Sequence, residues 1–381
     1  MGFTSFGGPV AAIGYFRAEF VTRRKWFNDH TFIDMIALCQ FLPGPVSSQL
    51  GISIGFAKGG IPGALLAWLG FTMPSAILMI IFGLGVSSFG DVTHQGWMSG
   101  LKIVTVAVVA QAVLAMARIF CVDWKKTLLT VFAAIVMIFL PLAITQITLM
   151  IFGGIVGLLL LIPNHNGQHT SLGIRLKRHI SIGALIVFFV LLFVLPVLMI
   201  LYPSHILEVI DSFYRSGALV FGGGHVVLPL LQATVVQPGW VSNESFLAGY
   251  AMAQALPGPL YSFAAYLGSI MSEAPNGWSG GMLCLVAIYL PSFLLVIGIL
   301  PFWDKLRKVY KVQTSLAGVN AVVVGILLAA LYNPVWKMGI LSWADFGFAV
   351  LLFCLLQFGR VQPWMVVVFG ATIGEILTRL Y

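Results

Sequence analysis

Nine stretches of this chain, 61–86, 100–119, 127–141, 145–162, 182–201, 279–302, 313–335, 344–358 and 361–378, are apolar enough to lie in a bilayer. They do not alternate polar with apolar residues, as transmembrane strands must. Helices are then the spanning element, because only helices and closed barrels pair every backbone polar group inside hydrocarbon. The shorter stretches need tilt or flanking residues to cover ~30 Å of hydrocarbon. Composition closes the alternatives: 60% of the chain is hydrophobic and 8% charged, against about 25% charged in a soluble domain. A water-soluble globule is excluded, and so is disorder, which needs low hydrophobicity and high charge. The expected fold class is an all-α polytopic membrane protein.

The net charge of +8 comes from 20 Lys and Arg against 12 Asp and Glu. In such a chain it marks cytoplasmic loops, where basic residues are retained. The four cysteines, Cys39, Cys121, Cys284 and Cys354, are far apart and form no zinc or CxxC spacing, so they read as small hydrophobes. The opening MGFTSFGGPV has neither a basic n-region nor a continuous apolar core, so insertion is expected to rely on internal spans.

The two halves resemble each other. Phe6, Gly7 and Gly8 recur 215 positions later as Phe221, Gly222 and Gly223, and Trp26 and Phe32 recur as Trp240 and Phe246. ALCQFLPGP (37–45) recurs as AMAQALPGP (251–259), Pro74-Ser75 as Pro291-Ser292, and Val104, Val108 and Val109 as Val319, Val323 and Val324. Ordered matches at offsets of 214–217 indicate an internal duplication. Related loops carry opposite charge. Arg23, Arg24 and Lys25 follow the first FGG element, whereas QPGWVSNES has one acid, Glu244, and no base. SSFGDVTHQGWMS has no Lys or Arg, while its partner FWDKLRKVYK carries Lys305, Arg307, Lys308 and Lys311. By the positive-inside rule, related loops lie on opposite sides of the membrane. The expected architecture is two inverted-topology repeats, as in many secondary transporters. Residues 1–162 form the first repeat, 163–181 a polar basic linker, 182–204 a connecting transmembrane helix and 205–381 the inverted second repeat.

Proline and glycine punctuation predicts broken helices. The loop 22–30 and the connection at Lys58 are both cytoplasmic by charge, so the chain between them enters and leaves on one side. It divides at Pro43-Gly44-Pro45 into arms of about 12 residues, ~18 Å of helix each. Neither arm spans the core, and the prolines disfavour helix at the junction. A re-entrant hairpin follows, with residues 246–272 forming its partner around Pro257-Gly258-Pro259. The FGG elements read the same way: a helix 205–220 reaches Phe221-Gly222-Gly223-Gly224 and an arm from His225 to Val236 returns, while Pro9 opens the arm of the first half.

Four such apices would meet near mid-membrane, where irregular backbone survives only if buried in protein or lining a watery cavity. Helix N-termini there offer free N–H groups and positive dipole ends to an oxyanion. The candidate binding residues are Ser5, Phe6, Gly7, Gly8, Gln40, Pro43, Gly44, Pro45, Ser47 and Ser48 in the first half. Phe221, Gly222, Gly223, Gly224, His225, Gln254, Pro257, Gly258, Pro259, Tyr261 and Ser262 join them from the second, with Thr4 and Gln49 alongside. The alternative is that the glycines only admit close packing and the prolines only kink continuous helices.

Among single ionisable residues, Arg17 is open between an intramembrane role and snorkelling to the interface. Lys102 reads as an interfacial anchor, Asp34 and Arg215 as helix-end residues, and His225 as a proton-coupling group or a satisfied polar side chain. Thr105 and Asn320, at related positions, read as interhelical hydrogen-bonding residues. A P-loop, HExxH, paired-cysteine site and nucleophile elbow are all missing, so neither ATP-driven transport by this chain nor an enzyme, metal or cofactor is expected. Scattered bases without interleaved aromatics do not support nucleic-acid binding.

The motifs SFGGP (5–9), RRKW (23–26), LCQFLPGPVSSQL (38–50) and GISIGFAKGGIPGALLAWLGFTMPSA (51–76) resemble the chromate ion transporter family. SGALVFGGGHVVLP (216–229), AMAQALPGPLYSFAAYLG (251–268) and YLPSF (289–293) resemble its C-terminal domain. The resemblance covers nearly the whole chain and implies the long two-domain form: an inner-membrane carrier exporting chromate, using the proton gradient, with sulfate able to meet the same site. The expected partners are chromate, sulfate as its isostere, and the lipid bilayer; a homodimer stays open. A sulfate or other oxyanion carrier, a gated anion channel and a non-transporting scaffold are the competing readings. One departure is that Gly2 corresponds to Gly217, so the helix preceding the second FGG has no full counterpart before the first. The first hairpin is therefore expected to be incomplete.

Overall fold

Residues 2–5, 8–88, 96–161, 178–221, 224–306, 309–359 and 361–380 are described by the computed structural model. The predicted linker lies largely outside them, as do Phe6, Gly7, Gly222 and Gly223. Among the described residues the chain is helical, with no strand. Five helices are long and apolar enough to cross a membrane, so this is an all-α polytopic membrane protein.

In the first half, α1 (Gly8–Phe16) runs into a π-turn, Arg17–Arg23. Then come α2 (Asp29–Phe41), α3 (Val46–Ser88), α4 (Gly96–Phe120), α5 (Trp124–Phe139) and α6 (Ala143–Leu160). The peripheral α7 (Arg178–Leu201) leads into the second half: α8 (His205–Leu219), α9 (Val227–Val235), α10 (Asn243–Ala255), α11 (Phe263–Ser269) and α12 (Gly277–Ile299). After the short α13 (Trp303–Leu306) follow α14 (Tyr310–Ala330), α15 (Lys337–Gly339), α16 (Trp343–Gln357) and α17 (Pro363–Leu380).

Related positions start these helices in the same way. Asn28 accepts from the Thr31 N–H (2.8 Å) at the head of α2, and Ser242 accepts from the Ser245 N–H (3.2 Å) at the head of α10. Asp123 caps α5 through the Lys126 N–H, while Ser342 and Asp345 form a reciprocal capping box on α16. The helix α3 is really two. Gly59 and Gly60 leave helical geometry, the latter at φ 61°, which only a glycine takes readily. That break falls at the connection expected beside Lys58, so Val46–Lys58 is a half-length arm and the remainder is the span.

Four helices dock pairwise across the halves. α6 and α5 pack along α14, and α17 and α16 pack along α4. Small residues make the seams. A Cβ on Gly318 of α14 would stand 2.0 Å from the Gly153 carbonyl oxygen and 2.9 Å from Gly157 Cα. A Cβ on Gly100 of α4 would stand 2.1 Å from the Gly370 carbonyl oxygen, and one on Gly374 would stand 2.7 Å from Gly100 Cα. Glycines four apart on α6 and on α17 thus let the helix backbones touch, the packing mode that membranes favour. Thr130 of α5 adds a hydrogen bond to the Ala321 carbonyl of α14 (2.8 Å). α4 and α14 also touch each other, while α7 packs on α8 and α12 and leaves most of its surface uncovered.

Candidate functional site

The two Pro-Gly-Pro breaks have nearly the same backbone. Leu42 ends α2 at φ −80°, ψ 145°, and Leu256 ends α10 at φ −83°, ψ 144°. Gly44 then takes φ 124° and Gly258 φ 119°, a region closed to other L-residues without strain. Both glycines are held by the opposite half. The Gly44 N–H donates to the Val220 carbonyl (2.7 Å), next to the second FGG, and the Gly258 N–H donates to the Ser5 carbonyl (3.1 Å), next to the first. Val220 and Ser5 are themselves related positions. The bonds pair each Pro-Gly-Pro apex with the flank of the other half's FGG, and the turns Gly224–Val226 and Leu260–Ser262 touch, which joins the two pairs; Phe6, Gly7, Gly222 and Gly223 lie outside the described residues.

Hydroxyls and amides surround the convergence. Just past the first apex, Ser47, Ser48 and Gln49 are buried on the opening turn of α3. The first intrahelical bond there runs from the Gln49 N–H to the Pro45 carbonyl (2.9 Å), so the N–H groups of Val46 to Ser48 precede the helical ladder. Gln49 donates its amide to the Pro43 carbonyl (2.6 Å), and Ser48 Oγ lies 3.2 Å from the Tyr289 hydroxyl. Past the second apex, a 3-10 turn carries Tyr261 and Ser262, both buried, and Ser262 donates to the Pro259 carbonyl (2.9 Å). His225 Nδ1 lies 2.7 Å from the Tyr250 hydroxyl, one turn before Gln254, which is buried. Gln40, by contrast, stands exposed, and so does Thr4.

Several residues at the centre were not singled out as ligands from the sequence. Ser292 and Ser75 abut the apex glycines: a Cβ on Gly44 would meet Ser292 Oγ at 2.7 Å, and one on Gly258 would meet Ser75 Oγ at 2.6 Å. Tyr289 packs against Tyr261 (ring centroids 5.9 Å) and Trp68 (5.5 Å). The repeated Pro-Ser pair was the available signal, since it marks the same face on α3 and α12.

The arginines singled out from the sequence lie elsewhere. Arg17 is exposed and paired with Asp29 (2.8 Å). Arg215 forms a two-pronged pair with Asp211 on its own helix, both bonds 3.0 Å. Thr105 donates to the Leu247 carbonyl of α10 (3.2 Å), an interhelical bond as expected, whereas Asn320 Oδ1 has no partner among the described residues. Among the described residues no group of three or more His, Cys, Asp or Glu could hold a metal. The centre is thus a set of neutral donors with helix N-termini, suited to an anion that keeps its charge.

Comparison with known proteins gives this geometry a family. The model of the family described as "Chromate transporter" matches residues 1–158 and again 207–375. The chain is 26% identical to the chromate transport protein of Cupriavidus metallidurans over 99% of its own length and 90% of that protein's. It is 27% identical to the chromate transport protein of Pseudomonas aeruginosa over 86% of the chain and 76% of that protein. A probable chromate transport protein of Synechococcus elongatus is 25% identical over 87% of the chain and 81% of that protein. No solved structure matches the chain. With both halves matched by one family and the match running over most of the sequence, the chain belongs to the chromate transporter family.

Proposed function

We propose that this chain is a secondary carrier that exports chromate across the inner membrane, driven by the proton gradient, and that it has no enzymatic role. Two inverted repeats alternate access to a midplane anion site at the FGG and Pro-Gly-Pro breaks. The observation that carries this reading is the crossed pair of backbone bonds, Gly44 to Val220 and Gly258 to Ser5. They tie each half's hairpin apex to the other half's break, so a shift of one repeat against the other must remodel the centre. The opposed loop charges and the reciprocal docking of α5–α6 and α16–α17 support the inverted arrangement.

The chemistry supports an oxyanion as cargo. Ser47, Ser48 and Tyr261, together with the backbone of the glycine breaks and with Ser262 once it releases the Pro259 carbonyl, would replace the hydration shell of a tetrahedral anion. Neutral donors let the ion leave again, which a buried lysine or arginine would oppose. His225 beside Tyr250 is the titratable group closest in sequence to an FGG break and is the proposed link to the proton gradient. Chromate itself comes from the family, and sulfate is the competing anion to test. In everted vesicles, chromate uptake should require an imposed proton gradient and fall when sulfate is added. Uptake indifferent to the gradient would mean a channel, and uptake of sulfate without chromate would mean a different cargo.

A further inference from the structure

We propose that Tyr289 and Ser292 on α12 bind the transported oxyanion, holding it against the first Pro-Gly-Pro apex and off the axis relating the two halves. The assignment rests on the central anion site proposed above and adds to it residues and a position.

Buried hydroxyls without a hydrogen-bond partner among the described residues gather around Tyr289. Ser292 is fully buried, and its Oγ has no partner among the described residues although it points at Gly44. A serine inside a helix ordinarily returns its hydroxyl to a carbonyl one turn back, so a buried one that does not is costly unless another acceptor arrives. The Tyr261 hydroxyl is likewise buried and unpartnered. Ser48 and Tyr289 share one bond. Two hydroxyls joined by one bond still leave one O–H hydrogen without an acceptor. These groups are joined through Tyr289, whose ring touches Tyr261, whose hydroxyl meets Ser48, and which stands three residues before Ser292 on one helix face. The hydroxyls of Ser292, Tyr261 and Thr72 are buried without partners among the described residues. The Gln49 Oε1 beside Gly44, likewise unpartnered, can accept from at most two of the O–H groups gathered here, so the place is donor-rich, as the complement of an oxyanion must be.

The related positions on the other side are already satisfied or changed. Ser75, the counterpart of Ser292, donates to the Thr72 carbonyl (3.0 Å). Ser262, the counterpart of Ser48, donates to the Pro259 carbonyl. Phe263 replaces Gln49, and Thr72 stands where the other half has Tyr289. The second apex therefore keeps the backbone of the first, and the spare donor that follows it, the Tyr261 hydroxyl, belongs to the ring packed against Tyr289. An anion that gains hydrogen bonds from Ser292, Tyr289, Tyr261 and Ser48 sits to the first-apex side.

The test compares Tyr289→Phe, Ser292→Ala and Ser75→Ala by radiolabelled chromate binding to purified protein and by uptake into everted vesicles. Losing one hydrogen bond to a charged ligand costs about a factor of ten, so Ser292→Ala and Tyr289→Phe should each raise Kd and KM about tenfold while maximal uptake changes little. Ser75→Ala should stay within about twofold. Equal effects of Ser75→Ala and Ser292→Ala would put the anion on the axis and overturn the proposal. So would unchanged Kd in both α12 variants. If Tyr289→Phe fails to insert, Ser292→Ala, which removes one oxygen beside a glycine, carries the test. Wild-type protein that binds chromate without moving it would refute the carrier reading and still let Kd decide the residue assignment. Wild-type protein that does not bind chromate would sink both.

Discussion

Gly44 and Gly258 show how much one residue can carry here. Each combines a φ near 120° with a neighbour that forbids a side chain: Gln49 and Ser292 around Gly44, Ser75 around Gly258. A substitution pays backbone strain of about 1–3 kcal/mol and must also push a hydroxyl aside at the centre. Gly44→Val and Gly258→Val should each abolish chromate resistance in cells while the amount of protein in the membrane, read by immunoblot, stays near wild type. Persisting resistance would remove that apex from the site. The apices were legible in the sequence because proline and glycine act locally and the same Pro-Gly-Pro recurs in the other half. Ser292 and Tyr289 were not legible as ligands, because a hydroxyl in an apolar helix gives no local sign of what it faces. Only the fold shows that Ser292 meets Gly44 and Ser75 meets Gly258.

At the scale of elements, the half-length arms follow from punctuation, and the break at Gly59–Gly60 falls where loop charge demanded a turn. Helix pairing across the halves was beyond reach. Glycines at 153 and 157, and at 370 and 374, are visible in the sequence, but their seats on Gly318 and Gly100 depend on tertiary packing. These seams make a direct prediction. Gly318→Val forces α14 away from α6, and overpacking of this kind costs about 1–3 kcal/mol. Thermal unfolding in detergent should shift clearly downward for Gly318→Val and for Gly100→Val. Gly183→Val on α7, where an added Cβ meets nothing within 4 Å, should leave the midpoint nearly unchanged. Similar shifts in all three would mean that the glycine seams do not hold the halves together.

For the molecule as a whole, the decisive property is which side each loop faces. Net charge alone says only that the protein is basic; its distribution predicts, by the positive-inside rule, that two related loops lie on opposite faces. Lys25 sits in the basic loop before α2, and Ser242 caps α10 in the base-free loop at the related place. Two inverted repeats joined at their breaks can exchange inward and outward openings by rocking, whereas two parallel repeats would present both hairpins to one side. Cysteines introduced at Lys25 and Ser242, in a background with Cys39, Cys121, Cys284 and Cys354 replaced, separate these cases. An impermeant maleimide should label Ser242→Cys in intact cells and Lys25→Cys only in everted vesicles. Labelling of both from the same side would refute the inverted arrangement. The crossed bonds from each apex to the other half would then join parallel repeats, and rocking between two openings related by a twofold axis would no longer follow from the fold.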